Sequence, residues 1–131
     1  MIETERLILR DWTPSDRDAF AAMNADPEVM RWFAATQSRA ESDAAVERLT
    51  ATMATRGFCF WPVILKADGR FLGIAGLKEG ALDTPLEGMV EIGWRFVKAA
   101  WGHGYATEAA RAAVAHGFAD PACDRIGAMT A

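Results

Sequence analysis

Two hydrophobic periods divide the chain into elements. Residues alternate between apolar and polar from Arg6 to Trp12, which predicts a strand. Apolar residues then recur every three or four positions, which predicts one helix from Thr13 to Asp26 and a second from about Ser42 to Arg56. We place Thr13 as the N-cap of the first helix and Gly57 as the residue that ends the second.

The strand period returns after Gly57 and holds through three segments. These are residues 58–66, 71–77 and 89–97, and an Asp-Gly pair at 68–69 joins the first two as a hairpin. Short connections of this kind predict an antiparallel meander. Pro62 lies inside the first of these strands and cannot donate a backbone hydrogen bond, so we expect a bulge there or bonding on one side only.

A final helix and strand complete the pattern. The helix has one face of mostly small residues, typical of close packing on a sheet: Ala106, Ala109, Ala110, Ala113, Val114, Gly117 and Phe118. Residues 125–131 follow as a strand, which a right-handed crossover makes parallel to strand 89–97. The prediction is a single domain over residues 1–131. Its fold class is α/β: a mixed sheet with an antiparallel meander and a parallel strand pair joined by a helix.

Composition and charge narrow the class of protein. The chain has 131 residues, 51% of them hydrophobic, and a formal net charge of −4, which argues against a nucleic-acid binder. The sequence has no apolar run long enough for a membrane span and no signal-peptide core at its N-terminus, so we expect a cytoplasmic protein. Cys59 and Cys123 lack metal-ligand spacing, and we expect two reduced, buried thiols, with a disulfide as the alternative.

The segment from Trp101 to Thr107 carries the main functional signal. A strand that leads through Gly102 and Gly104 into a helix presents unpaired amides at the positive end of the helix dipole. Such a site binds anions, phosphates most often, and glycine leaves the amides open to ligand oxygens. Neither the Walker A loop nor G-x-G-x-x-G is present. A tight turn with no ligand remains the alternative.

The same segment, "WGHGYATEA" after "VEIGWRFV", resembles the coenzyme A loop of the GNAT N-acetyltransferases. The family motif is Q/R-x-x-G-x-G/A, onto which Trp101, Gly104 and Ala106 fall. Tryptophan departs from the general motif but resembles the RimJ/RimL-like branch, which acetylates ribosomal proteins. "ETERLILRDWTPSD", "DPEVMRWF", "RFLGIAGL" and "EIGW" also resemble that branch, so the likeness covers almost the whole chain.

The resemblance implies an acetyltransferase that uses acetyl-CoA as co-substrate and needs no metal. The acceptor would be a primary amine, either a protein N-terminal α-amino group or a small molecule. The pyrophosphate would lie on the loop amides, and the pantetheine arm would pair with the backbone of Phe96 and Val97. The expected cofactor-binding residues are Trp94, Phe96, Val97, Trp101, Gly102, His103, Gly104, Tyr105, Ala106 and Thr107.

Glu91 is the candidate general base, since it lies on the strand expected to carry the thioester. The alternative is a solvated carboxylate paired with Arg95, its neighbour along one face of the strand. A backbone amide near Gly93 or Trp94 would stabilise the developing oxyanion. We expect His116 to be a residue of the helix end, and His103 to occupy a variable position of the loop.

Five tryptophans occur in the chain. Trp101 belongs to the loop, and the other four would line either the core or an acceptor cleft. We favour the core, because aromatic side chains dominate core burial. These four are Trp12, Trp32, Trp61 and Trp94.

The family implies more chain than this sequence contains. Members continue past the last strand with a helix and two strands that carry a CoA-contacting Asn and often a Tyr or Ser acid, whereas this sequence stops at Ala131. We therefore expect a C-terminally truncated domain, with an open strand edge that a homodimer could cover. The alternative function is a non-catalytic acyl-CoA-binding or regulatory module, or an inactive domain completed by oligomerisation.

Overall fold

Six strands lie side by side in the order in which they occur along the chain. This computed structural model describes residues 1–33, 35–80, 82–121, 123 and 125–128. The elements are β1 (Ile2–Glu3), β2 (Leu7–Leu9), α1 (Asp16–Ala25), α2 (Arg39–Arg56), β3 (Phe60–Leu65), β4 (Phe71–Glu79), β5 (Val90–Phe96), α3 (Tyr105–Phe118) and β6 (Ile126–Gly127), with a short 3-10 turn at Lys98–Ala100.

The strand pairing confirms the predicted mixed sheet. Strands β1 to β5 are antiparallel to their neighbours, and β6 is parallel to β5 through Val90 opposite Ile126 and Glu91 opposite Gly127. Strand β1 was not predicted, because two residues are too short to show a period. The predicted last strand was longer, and residues 129–131 of it lie outside the described residues.

Helices cover both faces of the sheet. Ile92 and Phe96 of β5 belong to a core that includes Ala109 and Ala113 of α3. Ile74 of β4 belongs to a second core on the other face, built with α1 and α2. Because side chains alternate along a strand, Glu91, Gly93 and Arg95 face the side of α1 and α2. Within the described residues, no helix combines the length and the apolar character needed to cross a membrane.

The beginnings of the first two helices differ from the prediction. Thr13 is not the N-cap of α1: its backbone N–H and its hydroxyl donate to the Asp16 carboxylate at 2.8 and 3.0 Å, and Ser15 is the N-cap. Arg10 also donates to Asp16, so this one carboxylate accepts hydrogen bonds from both Arg10 and Thr13 at the start of the helix. Helix α2 begins before the predicted Ser42, because Ser38 and Glu41 form a capping box.

Three local predictions about turns and strands are confirmed. Gly57 ends α2 in the left-handed region, with φ of 77°. Gly69 forms the hairpin between β3 and β4 with φ of 73°. Pro62 opposes Ile74, and the pairing register shifts immediately after it, between Val63 and Ile64. The shift lets a central strand accommodate a residue with no backbone donor.

The small face of α3 presses closely against the sheet. Ala109 and Ala113 are fully buried, and a Cβ added at Gly117 would lie 2.9 Å from methyl groups of both Leu77 and Ile126. Phe118 is the exception to the predicted face, since it is 48% exposed at the end of the helix. The alanines are therefore explained by packing alone.

We expect Ala113→Leu to lower the free energy of unfolding by about 1–3 kcal/mol, because the contact between α3 and β4 has no room for three more carbon atoms. Ala115→Leu is the matched control, since Ala115 lies on the exposed side of the same helix. Urea denaturation of both variants measures the effect. Equal stability of the two variants would contradict the close packing.

Candidate active site

The turn before α3 has the backbone geometry of an anion cradle. The chain leaves β5, makes the 3-10 turn, and enters α3 through Gly102 and Gly104, whose φ angles are 79° and 78°. Gly104 is the N-cap of the helix. A Cβ at Gly102 would meet no atom within 4 Å, so glycine is required there by the left-handed backbone and not by crowding.

The amides of this turn have no acceptor among the residues that the structure describes. The first helical bond runs from the Glu108 N–H to the Gly104 carbonyl at 3.1 Å. The N–H groups from Gly102 to Thr107 have no hydrogen-bond partner within the described part of the chain. Several free donors at the positive end of a 14-residue helix are the arrangement that favours an anion, so the predicted anion site remains a prediction that this geometry allows.

A cavity of about 350 Å³ opens over these amides. It brings together all of the predicted cofactor-binding residues except Val97 and His103. The residues that line it are Trp94, Phe96, Ala100, Trp101, Gly102, Gly104, Tyr105, Ala106 and Thr107.

Val97 does not line this cavity. Its N–H donates to the Leu72 carbonyl at 2.9 Å and its carbonyl accepts from Ala100 at 3.0 Å, so its N–H is not free to bind a ligand. Since backbone groups alternate in direction along an antiparallel strand, those of Trp94 and Phe96 point away from β4. Among the described residues, β6 pairs only with Val90 and Glu91 on that side, and no described strand pairs with Trp94 there.

Trp101 closes part of this edge. Its indole N–H donates to the Phe96 carbonyl at 3.0 Å. Phe96 therefore keeps a free N–H but not a free carbonyl on the open side. The residue that departs from the general family motif thus fastens the turn to the end of β5.

His103 contributes to the turn through its backbone. Its carbonyl accepts a hydrogen bond from the Arg6 guanidinium at 2.9 Å, and its exposed ring stacks on Tyr105 with centroids 5.3 Å apart. Arg6 also lies 4.6 Å above the Tyr105 ring. A residue of the N-terminal segment therefore contacts both sides of the Gly104 N-cap.

Glu108 joins the cradle to the start of β2. Its carboxylate accepts from the Arg6 guanidinium at 2.7 Å, the Arg6 backbone N–H at 2.9 Å and the Thr4 hydroxyl at 2.5 Å. The partners lie about a hundred positions apart, so no local sequence signal identifies them. Partial burial raises the pKa of Glu108, but these hydrogen bonds and the Arg6 charge outweigh it, so the pKa falls below its ordinary value.

A second cavity of about 590 Å³ lies on the α1 and α2 side of β5. Trp94 lines both cavities, so they meet at this residue. The second cavity is lined by Trp32, Phe33, Phe60, Ile74, Lys78, Glu91, Ile92, Gly93, Trp94, Arg95 and Ala128.

Glu91 lines this second cavity, and it is not the solvated carboxylate paired with Arg95 that the alternative interpretation describes. Its side chain is only 13% exposed, and its carboxylate lies 3.6 Å from the Lys78 ammonium of β4. Arg95 has no salt bridge to any carboxylate of the described residues. One of its terminal nitrogens donates to the Met30 sulfur at 3.1 Å. The alternative pairing of Glu91 with Arg95 is therefore wrong, because Lys78 of the neighbouring strand lies beside the Glu91 carboxylate instead.

The core prediction holds for two of the four tryptophans. Trp61 is buried, and Trp12 is half-buried and donates to the Phe60 carbonyl at 3.0 Å. It is wrong for Trp32 and Trp94, which are 69% and 45% exposed and line the second cavity.

The predictions for histidine and cysteine also have clear outcomes. His116 is an exposed residue in the last turn of α3 and contacts the Trp61 ring edge-on, as expected for a helix end. Both cysteines are free, Cys59 buried and Cys123 half-buried, and burial raises the pKa of the Cys59 thiol. Among the residues that the structure describes, no three His, Cys, Asp or Glu side chains group as metal ligands.

The chain belongs to the GNAT acetyltransferase family. The family model described as an acetyltransferase (GNAT) domain matches residues 6–131. The uncharacterized protein YkkB of Bacillus subtilis (strain 168) is 28% identical over 127 residues, which cover 96% of this chain and 73% of YkkB.

Solved structures agree with the fold. A GNAT-family acetyltransferase from Bacillus anthracis superposes with a TM-score of 0.79 at 25% identity, over 95% of this chain and 70% of that one. The aminoglycoside acetyltransferase AAC(6')-Ib, solved in complex with coenzyme A, superposes at 0.67 and 21% identity, over 92% and 72%. RimL, a ribosomal L7/L12 α-N-protein acetyltransferase, superposes at 0.72 and 16%, over 96% and 70%. These last two likenesses concern the fold alone.

We expect Glu108→Gln to lower the free energy of unfolding at neutral pH, because an amide accepts weaker hydrogen bonds from Arg6 and Thr4 than a carboxylate does. The variant should also lose less stability in acid. Folding lowers the pKa of Glu108, so its contribution is complete above the pKa of an unfolded glutamate, about 4.3, and disappears as the pH falls through the folded value.

Urea midpoints measured from neutral pH down to about pH 3 test both statements. The control is Glu47→Gln, because Glu47 is exposed and pairs with Arg17 at the surface, where an ion pair contributes little. A parallel acid response of the two variants would show that Glu108 does not anchor the cradle.

Proposed function

We propose that this protein transfers an acetyl group from acetyl-CoA to a primary amine. The observation that supports this most is the meeting of two cavities at Trp94, one over free helix amides and one beside Glu91. Membership of the GNAT family gives the class of reaction. Ligand pockets on either side of one strand bring a donor and an acceptor together without a moving domain.

The cradle fits the phosphate end of coenzyme A. The amides from Gly102 to Thr107 have the donors and the dipole for the pyrophosphate, and neither Gly102 nor Gly104 places a Cβ in its way. The pantetheine arm would extend along the open side of β5, where the backbone of Trp94 and the Phe96 N–H can pair with it as an added strand would.

The residues of β5 then act on the acceptor. Acetyl-CoA supplies the acetyl group as a thioester, and a C–N bond forms as the C–S bond breaks and the thiolate takes a proton. Glu91 accepts the proton that the amine loses, directly or through one water. The Trp94 N–H lies on the open side of β5 and stabilises charge on the carbonyl oxygen, whereas the Gly93 N–H points toward β4.

The loop sequence and the cysteines support two finer assignments. The loop sequence favours the RimJ/RimL-like branch, whose acceptor is an α-amino group; with a pKa of about 8 it loses its proton more easily than lysine. The two free cysteines are typical of a reducing compartment, which supports a cytoplasmic location.

We expect coenzyme A to raise the melting temperature, since a ligand that binds only the folded state stabilises it by about 2.7 kcal/mol at about 100 times its Kd. Gly102→Ala should abolish the shift, because alanine disfavours the left-handed backbone that presents the amides. Gly69→Ala is the matched control: Gly69 has a similar positive φ and equally open surroundings, but lies in the distant hairpin.

Both substitutions should cost about 1–2 kcal/mol through the left-handed backbone, so the ligand response separates them. No shift with the unmodified protein at millimolar coenzyme A, or an equal shift for both variants, would contradict the cradle.

We expect Glu91→Gln to reduce kcat/KM by about 10²–10⁴ and to remove the acidic limb of the pH–rate profile. Release of the coenzyme A thiol in the presence of a panel of amines is the measurement. Glu79→Gln is the control, because Glu79 ends the neighbouring strand and pairs with Arg56 at the surface. An unchanged acidic limb would exclude Glu91 as the base.

A further inference from the structure

Arg95 presents an unpaired positive charge to the second cavity. It extends from β5 on the same face as Glu91, and both side chains line the cavity. Its Nε is buried and has no hydrogen-bond partner among the described residues. One of its terminal nitrogens donates to the Met30 sulfur at 3.1 Å, and sulfur is a weak acceptor.

The surroundings of the guanidinium are aromatic. It lies 5.0 Å from the centre of the Phe33 ring and 5.9 Å from that of Phe20. Such contacts orient an arginine but supply none of the oxygen acceptors that its planar fork can bind. Burial also lowers the pKa of Arg95, since no carboxylate of the described residues offsets the loss of water.

The charges of the cavity favour one kind of acceptor. Its charged lining residues are Lys78, Arg95 and Glu91, and Glu91 already lies beside Lys78. A polyamine or an aminoglycoside carries several positive charges and would meet two cations and a single carboxylate. An amine that also carries a carboxylate offers Arg95 the oxygen acceptors that it lacks, in the cavity that Glu91 also lines.

We propose that the acceptor is an amine that carries its own carboxylate, such as an amino acid, and that Arg95 binds that carboxylate. This inference rests on the proposed acetyl transfer. The guanidinium forms a charge-assisted, two-pronged bond that holds the acceptor so that its amine faces Glu91 and Trp94. The apolar surfaces of Phe60 and Ile74 and the exposed ring of Trp32 accommodate the body of the molecule.

Binding is tested without turnover. The probes are 3-phenylpropionate and its uncharged amide, added to the protein with saturating coenzyme A, and the readout is the melting temperature. We expect the acid to stabilise the protein and the amide to have little effect. Arg95→Gln should remove the response to the acid, whereas Arg70→Gln, which removes an exposed charge in the distant hairpin, should keep it.

Transfer is tested with phenylalanine and phenylalaninamide, through the ratio of their kcat/KM values. We expect Arg95→Gln to reduce the acid-to-amide ratio by about ten- to hundredfold, the loss of a hydrogen bond to a charged group. Comparing the ratio between protein variants cancels the different basicity of the two amines. Peptides with aspartate or asparagine as the second residue show whether the carboxylate can come from a peptide.

The outcomes separate the two proposals. If no amine of the panel causes release of the coenzyme A thiol, while coenzyme A still raises the melting temperature, the acetyl transfer is overturned. Transfer with an unchanged acid-to-amide ratio in Arg95→Gln would overturn the role of Arg95 alone. Should Arg95→Gln fail to fold, Arg95→Lys keeps the charge without the fork, and an unchanged response to 3-phenylpropionate in that variant would contradict two-pronged binding.

Discussion

The one-sided pairing of β5 is the constraint on which the site depends. Seven residues pair with β4, but among the described residues only the first two pair with β6. Within that part of the chain, no strand pairs with the backbone of Trp94 and Phe96 on this side, and an unpaired strand edge of this kind can accept another extended chain. The same strand presents the cradle at its end, Glu91 at its start and Arg95 on the same face as Glu91, so one element aligns every group that the proposed chemistry uses.

Two side chains near the N-terminus hold the cradle in place relative to that strand. Arg6 and Thr4 converge on Glu108, and Arg6 continues to the carbonyl of His103. Because the link joins the start of β2 to the first turns of α3, the helix cannot shift along the sheet without breaking several hydrogen bonds together. Close packing at Ala109 and Ala113 fixes the distance between helix and sheet, and the Glu108 link fixes the helix along its own axis.

Periodicity was sufficient for the elements and their order, because the signals for them are local. Gly57, Pro62 and Gly69 act through their own backbone and were placed correctly. The helix start at Thr13 was wrong because Thr13 donates to the Asp16 carboxylate, which Arg10 also binds, instead of capping the helix. The contacts of Glu91 and the exposure of Trp32 and Trp94 depend on which strands and loops face each other, and a single sequence does not contain that information. Arg95 was noticed only as a neighbour of Glu91, since its isolation from carboxylates exists only in three dimensions.

The bond from the Trp101 indole to the Phe96 carbonyl has a consequence for the kinetics of ligand capture. A turn that is already fastened at its first residue, and at His103 through Arg6, loses little conformational entropy when a phosphate settles on it. Preorganisation of this kind improves affinity by cutting the ordering cost rather than by adding contacts. Capture of an anionic ligand would then be limited by diffusion and by the local field of the helix end, and its rate would fall as salt screens that field.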